Sequence, residues 1–237
     1  MKQIIKSSLV VLLLVSGLAA HAQQRLTFGV KSGFAFSDLS DFPYETATKH
    51  AFTGGLTFDY VLNNPELYIS SGIDFVNKGT KYDLVSDEVQ TDARVTFKKS
   101  TIAAMYVQVP LFFGYKVRLS DPMNFFIQAG PYAAYGIGGK RELGGKVNVE
   151  TLSGTETIPL HDFLLSNNYG IRLADKAVFD KDEGFKRFDY GVGVAMTFEY
   201  EHVGLTFKYD LGLAEIDRMA ESKIKNRTAY VTFGYRF

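Results

Sequence analysis

Tyr230-Val-Thr-Phe-Gly-Tyr-Arg-Phe237 closes the chain. Side chains that alternate with a period of two put Ala229, Val231, Phe233, Tyr235 and Phe237 on one face, and Thr228, Tyr230, Thr232, Gly234 and Arg236 on the other. A strand apolar on one side and mixed on the other, ending on an aromatic residue, suits a wall between lipid and a polar lumen. One such strand decides the fold only if the pattern recurs.

It recurs in seven further segments, at about 26–36, 51–62, 67–76, 101–118, 124–138, 188–200 and 203–213. In the fourth, Val107, Val109, Leu111, Phe113, Tyr115 and Val117 oppose Gln108, Pro110, Gly114 and Lys116. In the sixth, Phe188, Tyr190, Val192, Val194, Met196 and Phe198 oppose Asp189, Gly191, Gly193, Thr197 and Glu199. Most reach the roughly 9–11 residues that a tilted transmembrane strand needs.

The connections alternate in length. Asn63-Asn64-Pro65-Glu66, Ser120-Asp121-Pro122-Met123 and Glu201-His202 are tight turns. The long connections fall at about 37–50, 77–100, 139–187 and 214–226. Together these features predict an all-β fold: an eight-stranded antiparallel up-and-down transmembrane β-barrel with short periplasmic turns and long extracellular loops. Pro110 and Pro131 fall inside strands, where each removes a ladder hydrogen bond, so a bulge or kink is predicted there.

The amino end carries a matching address. Lys2 and Lys6 precede an apolar run from Leu9 to Leu18, and Ala20-His21-Ala22 offers a small-residue cleavage site. This reads as a secretory signal peptide over 1–22 that is cleaved to leave a barrel domain over 23–237, destined for the cell outer membrane. The run is too short to cross a bilayer as a helix, which takes about 20 residues.

Composition excludes several classes. With no Cys there is no disulfide and no thiolate metal site. Lys plus Arg equals Asp plus Glu at 26 each, so no net field draws nucleic acid, and none is expected as a partner. Aromatic residues reach 14% while mean hydropathy is only −0.03. That combination fits a barrel, in which every second residue is polar.

The inward positions hold four bases and four acids: Lys31, Lys116, Lys208 and Arg236 against Asp59, Asp74, Glu199 and Asp210. Eight strands enclose an interior just wide enough for side chains, so these charges are expected to pair and fill the lumen. Tyr60, Tyr115, Phe125 and Tyr200 near the periplasmic strand ends, and Phe36, Phe52, Phe75, Tyr135 and Tyr190 near the other ends, read as aromatic belts.

Chemistry is sparse. His50, His161 and His202 lack metal-ligand spacing; an acyl-transfer set could be assembled only in three dimensions, from His50, His161 and the Ser and Asp residues of the outer loops. Gly136-Ile-Gly138-Gly139 and Gly144-Gly145 do not open a helix after a strand, as a phosphate loop requires. No catalytic residue, cofactor or metal is predicted. Lys98-Lys99 and the charged run 181–187 form a solvated rim within reach of lipopolysaccharide phosphates. The longest loop carries Ile158, Leu160, Phe163 and Leu164, too apolar to lie bare in water, and so folds over the barrel mouth, enters the lumen or meets a partner.

Tyr106-Val-Gln-Val-Pro-Leu-Phe-Phe-Gly-Tyr-Lys-Val117 with Gly130-Pro-Tyr-Ala-Ala-Tyr135 resembles the core of the PorT-type family of Bacteroidota outer-membrane β-barrel proteins. Lys208-Tyr-Asp-Leu-Gly-Leu213, Lys225-Asn-Arg227 and Gly234-Tyr-Arg-Phe237 resemble its carboxy-terminal half. The resemblance implies an eight-stranded barrel and, through the founding member, a link to protein secretion; it brings no catalytic residues. Likeness to the closing strand of outer-membrane barrels also implies that Phe233, Tyr235 and Phe237 are the signal read by the barrel insertion machinery. The leading expectation is a non-enzymatic barrel acting through outer-membrane lipid, lipopolysaccharide and other envelope or secretion proteins. A small-solute channel is the alternative, and a rim-sited lipid-modifying enzyme the third class.

Overall fold

Alternation between apolar and polar side chains commits each segment to extended backbone, because only a period of two sorts these residues to opposite sides. The computed structural model describes residues 25–42, 46–85, 93–142, 146–151, 154–159, 177–179, 184–218 and 223–237. Within them the strands are β1 (Leu26–Ser40), β2 (Thr46–Ala47), β3 (Lys49–Val61), β4 (Leu67–Val85), β5 (Ala93–Ser120), β6 (Met123–Glu142), β7 (Lys146–Thr151), β8 (Gly154–Pro159), β9 (Phe188–Tyr200), β10 (Val203–Gly212) and β11 (Lys225–Arg236). The predicted signal segment lies outside the described residues.

Eight of the described strands close on themselves. β1, β3, β4, β5, β6, β9, β10 and β11 pair in chain order, each antiparallel to the next. The ring shuts where β11 meets β1, from Gly29↔Arg236 to Ser40↔Lys225. This is the predicted up-and-down barrel. Closure pairs each of these eight strands on both sides over at least part of its length.

β9 shows how cleanly the faces separate: buried and exposed residues alternate from Phe188 to Tyr200 without a break. Around the outside runs a continuous apolar band that includes Phe34, Phe52, Phe75, Leu111, Phe113, Val194, Met196 and Phe233, all exposed. A soluble protein does not show so large an apolar surface to water.

Four details differ from the expectation. β4 and β5 run past the predicted ends, to 19 and 28 residues, and Thr80 and Tyr82 on β4 and Ser100 on β5, all beyond those ends, are buried and not solvated. The long connection after β6 contains a hairpin, β7 with β8, in which Ile158 pairs with Val147; Leu160, Phe163 and Leu164 lie outside the described residues. Pro110 and Pro131 cause no register shift: Ser71↔Leu111 and Asp74↔Gln108 keep one register on β5, as do Pro110↔Tyr132 and Phe113↔Ala129. The shifts on the β5–β6 ladder lie between Met105 and Tyr106, where Ile137 is the extra residue, and between Arg118 and Ser120.

The ladder between β3 and β4 also stops early. Its last pair toward the long-loop end is Gly54↔Phe75, and pairing resumes on β2 only at Ala47↔Lys81. Side chains bridge the resulting window. Thr53 Oγ1 donates to Phe75 O at 2.9 Å, and Lys49 Nζ donates to Asn77 Oδ1 at 2.8 Å.

Candidate functional site

Inward-facing charges of a narrow barrel have no water in bulk, so each needs a partner at its own height. The lumen meets this need in three layers. Nearest the long-loop end, Lys78 on β4 and Asp189 on β9 face each other at 2.9 Å, both side chains fully buried. Asn226 Nδ2 on β11 donates to the same Asp189 oxygen at 3.0 Å. The Lys78 ammonium also stands 4.4 Å above the Tyr132 ring and 5.3 Å from that of Tyr106.

The middle layer gathers four charges from three strands. Lys31 on β1 meets Asp74 on β4 at 2.8 Å. Lys208 on β10 meets Asp74 at 3.5 Å and Asp210 at 3.1 Å. Gln108 Nε2 donates to Asp210 at 2.7 Å. Tyr230 and Phe112 flank the Lys208 ammonium at 4.7 and 5.6 Å.

At the short-turn end, Arg236 on β11 reaches Asp59 on β3 at 3.0 Å and Glu199 on β9 at 3.3 Å. Its guanidinium lies 4.2 Å from the centre of the Phe126 ring, against which Tyr68 packs edge-on at 5.7 Å. Lys116 also approaches Phe126, at 5.5 Å. Between this layer and the middle one is a cavity of about 70 Å³, lined by Thr53, Ser70, Gln128 and Thr197 among the charges. That is room for a few waters.

Above the first layer sits an apolar plug. Val178, Phe179, Phe185 and Ile216 pack with Tyr106, Tyr132, Ile102 and Ala134, all buried. Phe179 meets Tyr106 edge-on at 5.4 Å and lies on Gly136, where even a β-carbon would collide with the ring. Arg187 holds it in place, donating to Gly136 O at 2.7 Å and stacking over Phe179 at 5.2 Å. Among the described residues the mouth is covered by Val178, Phe179 and Phe185 of the long connection, while Ile158 pairs with Val147 in the β7–β8 hairpin.

Sequence reasoning left Lys78 and the Lys78–Asp189 pair out of the lumen set, since Lys78 lay beyond the predicted end of its strand. Continuing the inward series Asp74, Val76, Lys78, Thr80 would have found it; all four are buried. His50 sits on the outer wall with its ring edge-on to Phe36 at 5.2 Å, and His202 packs on Tyr235 at 5.6 Å. His161 lies outside the described residues. Among the described residues no group of three or more His, Cys, Asp or Glu could hold a metal. Gly136, Gly138 and Gly139 belong to β6, which is strand.

An apolar band around a closed barrel, with paired charges inside, matches one further observation. The sequence profile described as "Outer membrane protein beta-barrel domain" matches residues 21–218. The chain belongs to the outer membrane protein beta-barrel domain family. The profile ends before β11, the strand that completes this outer membrane protein barrel. Short turns then mark the periplasmic side and the long strands and loops the outside.

Three solved structures are similar to this outer membrane protein. OprG of Pseudomonas aeruginosa is 13% identical, with 89% of this chain and 95% of that one covered and a TM-score of 0.44. Ail of Yersinia pestis, in complex with the heparin analogue sucrose octasulfate, is 13% identical, with 90% and 100% covered and a TM-score of 0.43. Neisserial surface protein A is 12% identical, with 88% and 95% covered and a TM-score of 0.40. Among curated proteins none matches the chain.

Proposed function

We propose that this outer-membrane barrel is a sealed, non-enzymatic protein that acts through partners at its outer end, in secretion or envelope assembly as the PorT-type resemblance implies. The observation that carries the reading is the double closure near the outer mouth. A fully buried Lys78–Asp189 pair fills the cross-section, and the plug formed by Phe179 and Phe185 lies directly on it. A solute path would have to displace both, and separating a buried ion pair is expensive.

The outer end also has the means to bind. β4, β5, β7 and β8 continue as one sheet beyond the barrel, with β5 paired to β4 on one side and to β7 on the other. Sheet that projects past a membrane wall offers an extended surface to another envelope protein.

The test has two parts. In planar bilayers the purified full chain gives no stepwise conductance; regular steps would overturn the sealed reading and favour a small-solute channel. Crosslinking in native cells, followed by mild detergent extraction, recovers other envelope proteins at fixed stoichiometry. Recovery of the barrel alone would remove the partner role.

A further inference from the structure

We infer that Lys225 and Arg227 on β11 bind the phosphate of an outer-leaflet glycolipid, beside the apolar flank of β10. Along β11 the odd-numbered side chains face out and the even-numbered ones in, and burial alternates to match from Lys223 to Thr232. The outward series reads Lys223, Lys225, Arg227, then Ala229, Val231 and Phe233. It passes from basic to apolar in one step, and its cations share one face. Among the described residues none of these cations has an ion-pair partner. The neighbouring strand stays apolar further out. Leu211 pairs directly with Arg227, and Leu213 continues the outward series one step beyond it. Both are exposed, at 38% and 45%, as is Tyr190, whose carbonyl accepts the Leu213 N–H. Arg227 and Lys225 therefore stand at a depth where the wall beside them is still apolar. A cation there is costly unless an anion meets it, and lipid phosphates are the anions of that layer.

Acids border the stripe without neutralising the site. Asp38 on β1 is the register partner of Arg227, but its carboxylate is turned the other way, toward β4 and β2. It accepts from Thr80 Oγ1 at 2.7 Å, Leu39 N at 2.8 Å and Thr46 Oγ1 at 3.2 Å. Glu215 follows Leu213 on the outward side and offsets Lys223, which leaves Lys225 and Arg227 for the phosphate. Leu211 and Leu213 identify the anion's carrier. A free anion gains nothing from these exposed leucines, whereas the acyl chains of a phosphorylated lipid cover them. The inference needs outer-membrane residence alone; it holds whether or not the lumen conducts.

Native mass spectrometry of the purified full chain in detergent, titrated with monophosphoryl lipid A, its dephosphorylated form and inorganic phosphate, tests it. Lys225→Gln with Arg227→Gln should weaken binding of the phosphorylated lipid about twenty-fivefold, from roughly fivefold at each position. The same variant should bind the dephosphorylated lipid as the natural protein does and keep its unboiled gel mobility. Lys140→Gln, at an exposed lysine of β6 outside the stripe, should change neither lipid's binding. Natural-level binding of the phosphorylated lipid by the double variant would overturn the inference, as would an equal loss in Lys140→Gln. Equal binding of both lipids to the natural protein, or displacement of the lipid by an equal concentration of inorganic phosphate, would also overturn it.

Discussion

Arg236, the penultimate residue, lies 3.0 Å from Asp59 on β3, a strand it never pairs with. β1 stands between them in the wall. On its other side Arg236 reaches past β10 to Glu199 on β9. One side chain thus ties five neighbouring strands across the place where the ring shuts.

Removing it should be costly. Arg236→Ala leaves the carboxylates of Asp59 and Glu199 buried without a cation, a loss of about 3 kcal/mol. The temperature at which the compact, unboiled gel band disappears should fall accordingly. Adding Asp59→Asn and Glu199→Gln should restore most of it, since the stranded charges are then gone.

Lys78 and Asp189 allow a sharper comparison. Lys78→Met alone should destabilise the barrel by about 3–5 kcal/mol, because Asp189 keeps a buried charge. Lys78→Met with Asp189→Leu should lie within about 1–2 kcal/mol of the natural protein in urea unfolding from lipid vesicles. A double variant as weak as the single one would show that the pair's hydrogen bond to Asn226 matters more than its charge.

The plug depends on Gly136. Gly136→Leu should eject the Phe179 ring without unfolding the wall, because the new side chain occupies the ring's place on the inner face. A cysteine introduced by Val178→Cys, at a fully buried position, reports the change. Its labelling by a water-soluble maleimide should be slow in the natural background and at least about tenfold faster when combined with Gly136→Leu, given a barrel that keeps its unboiled mobility.

Phe237 separates address from architecture. It is 73% exposed and packs edge-on against Tyr235 at 5.3 Å, while its backbone N–H donates to Phe28 O. Phe237→Ala should cost under about 1 kcal/mol in the refolded protein, as its backbone bond stays and little is buried. In cells the same change should sharply lower the amount reaching the outer membrane, measured by fractionation, if the residue is the insertion signal. Normal surface levels would mean that the aromatic end serves the belt alone.

Much of the wall is legible in the chain because lipid outside and polar side chains inside enforce strict alternation, as along Phe188–Tyr200. The ends of β4 and β5 are not, since beyond the membrane the outward face is free to carry any residue and period two loses its contrast. Pro110 misleads for a related reason: its carbonyl is taken up by the Ser71 hydroxyl at 2.7 Å, and the ladder keeps its register. Contacts within the lumen are also hidden. Asp74 and Lys208 lie on strands that are not adjacent and far apart in the chain, and nothing local signals that they share a height.

The three charged layers have a consequence for how the ring can be shut. A closure slipped by two residues along β11 and β1 would still turn apolar side chains to lipid, so the outer face alone cannot reject it. Inside, the slip would part Arg236 from Asp59 and carry Lys31 away from Lys208's layer, while Asn226 and Asp189, on one side of the seam, would move together. Several buried charges would be stranded together, at a few kilocalories each. The lumen therefore acts as a lock with tumblers at two depths, and only one alignment of the final strand against the first lets both of them drop.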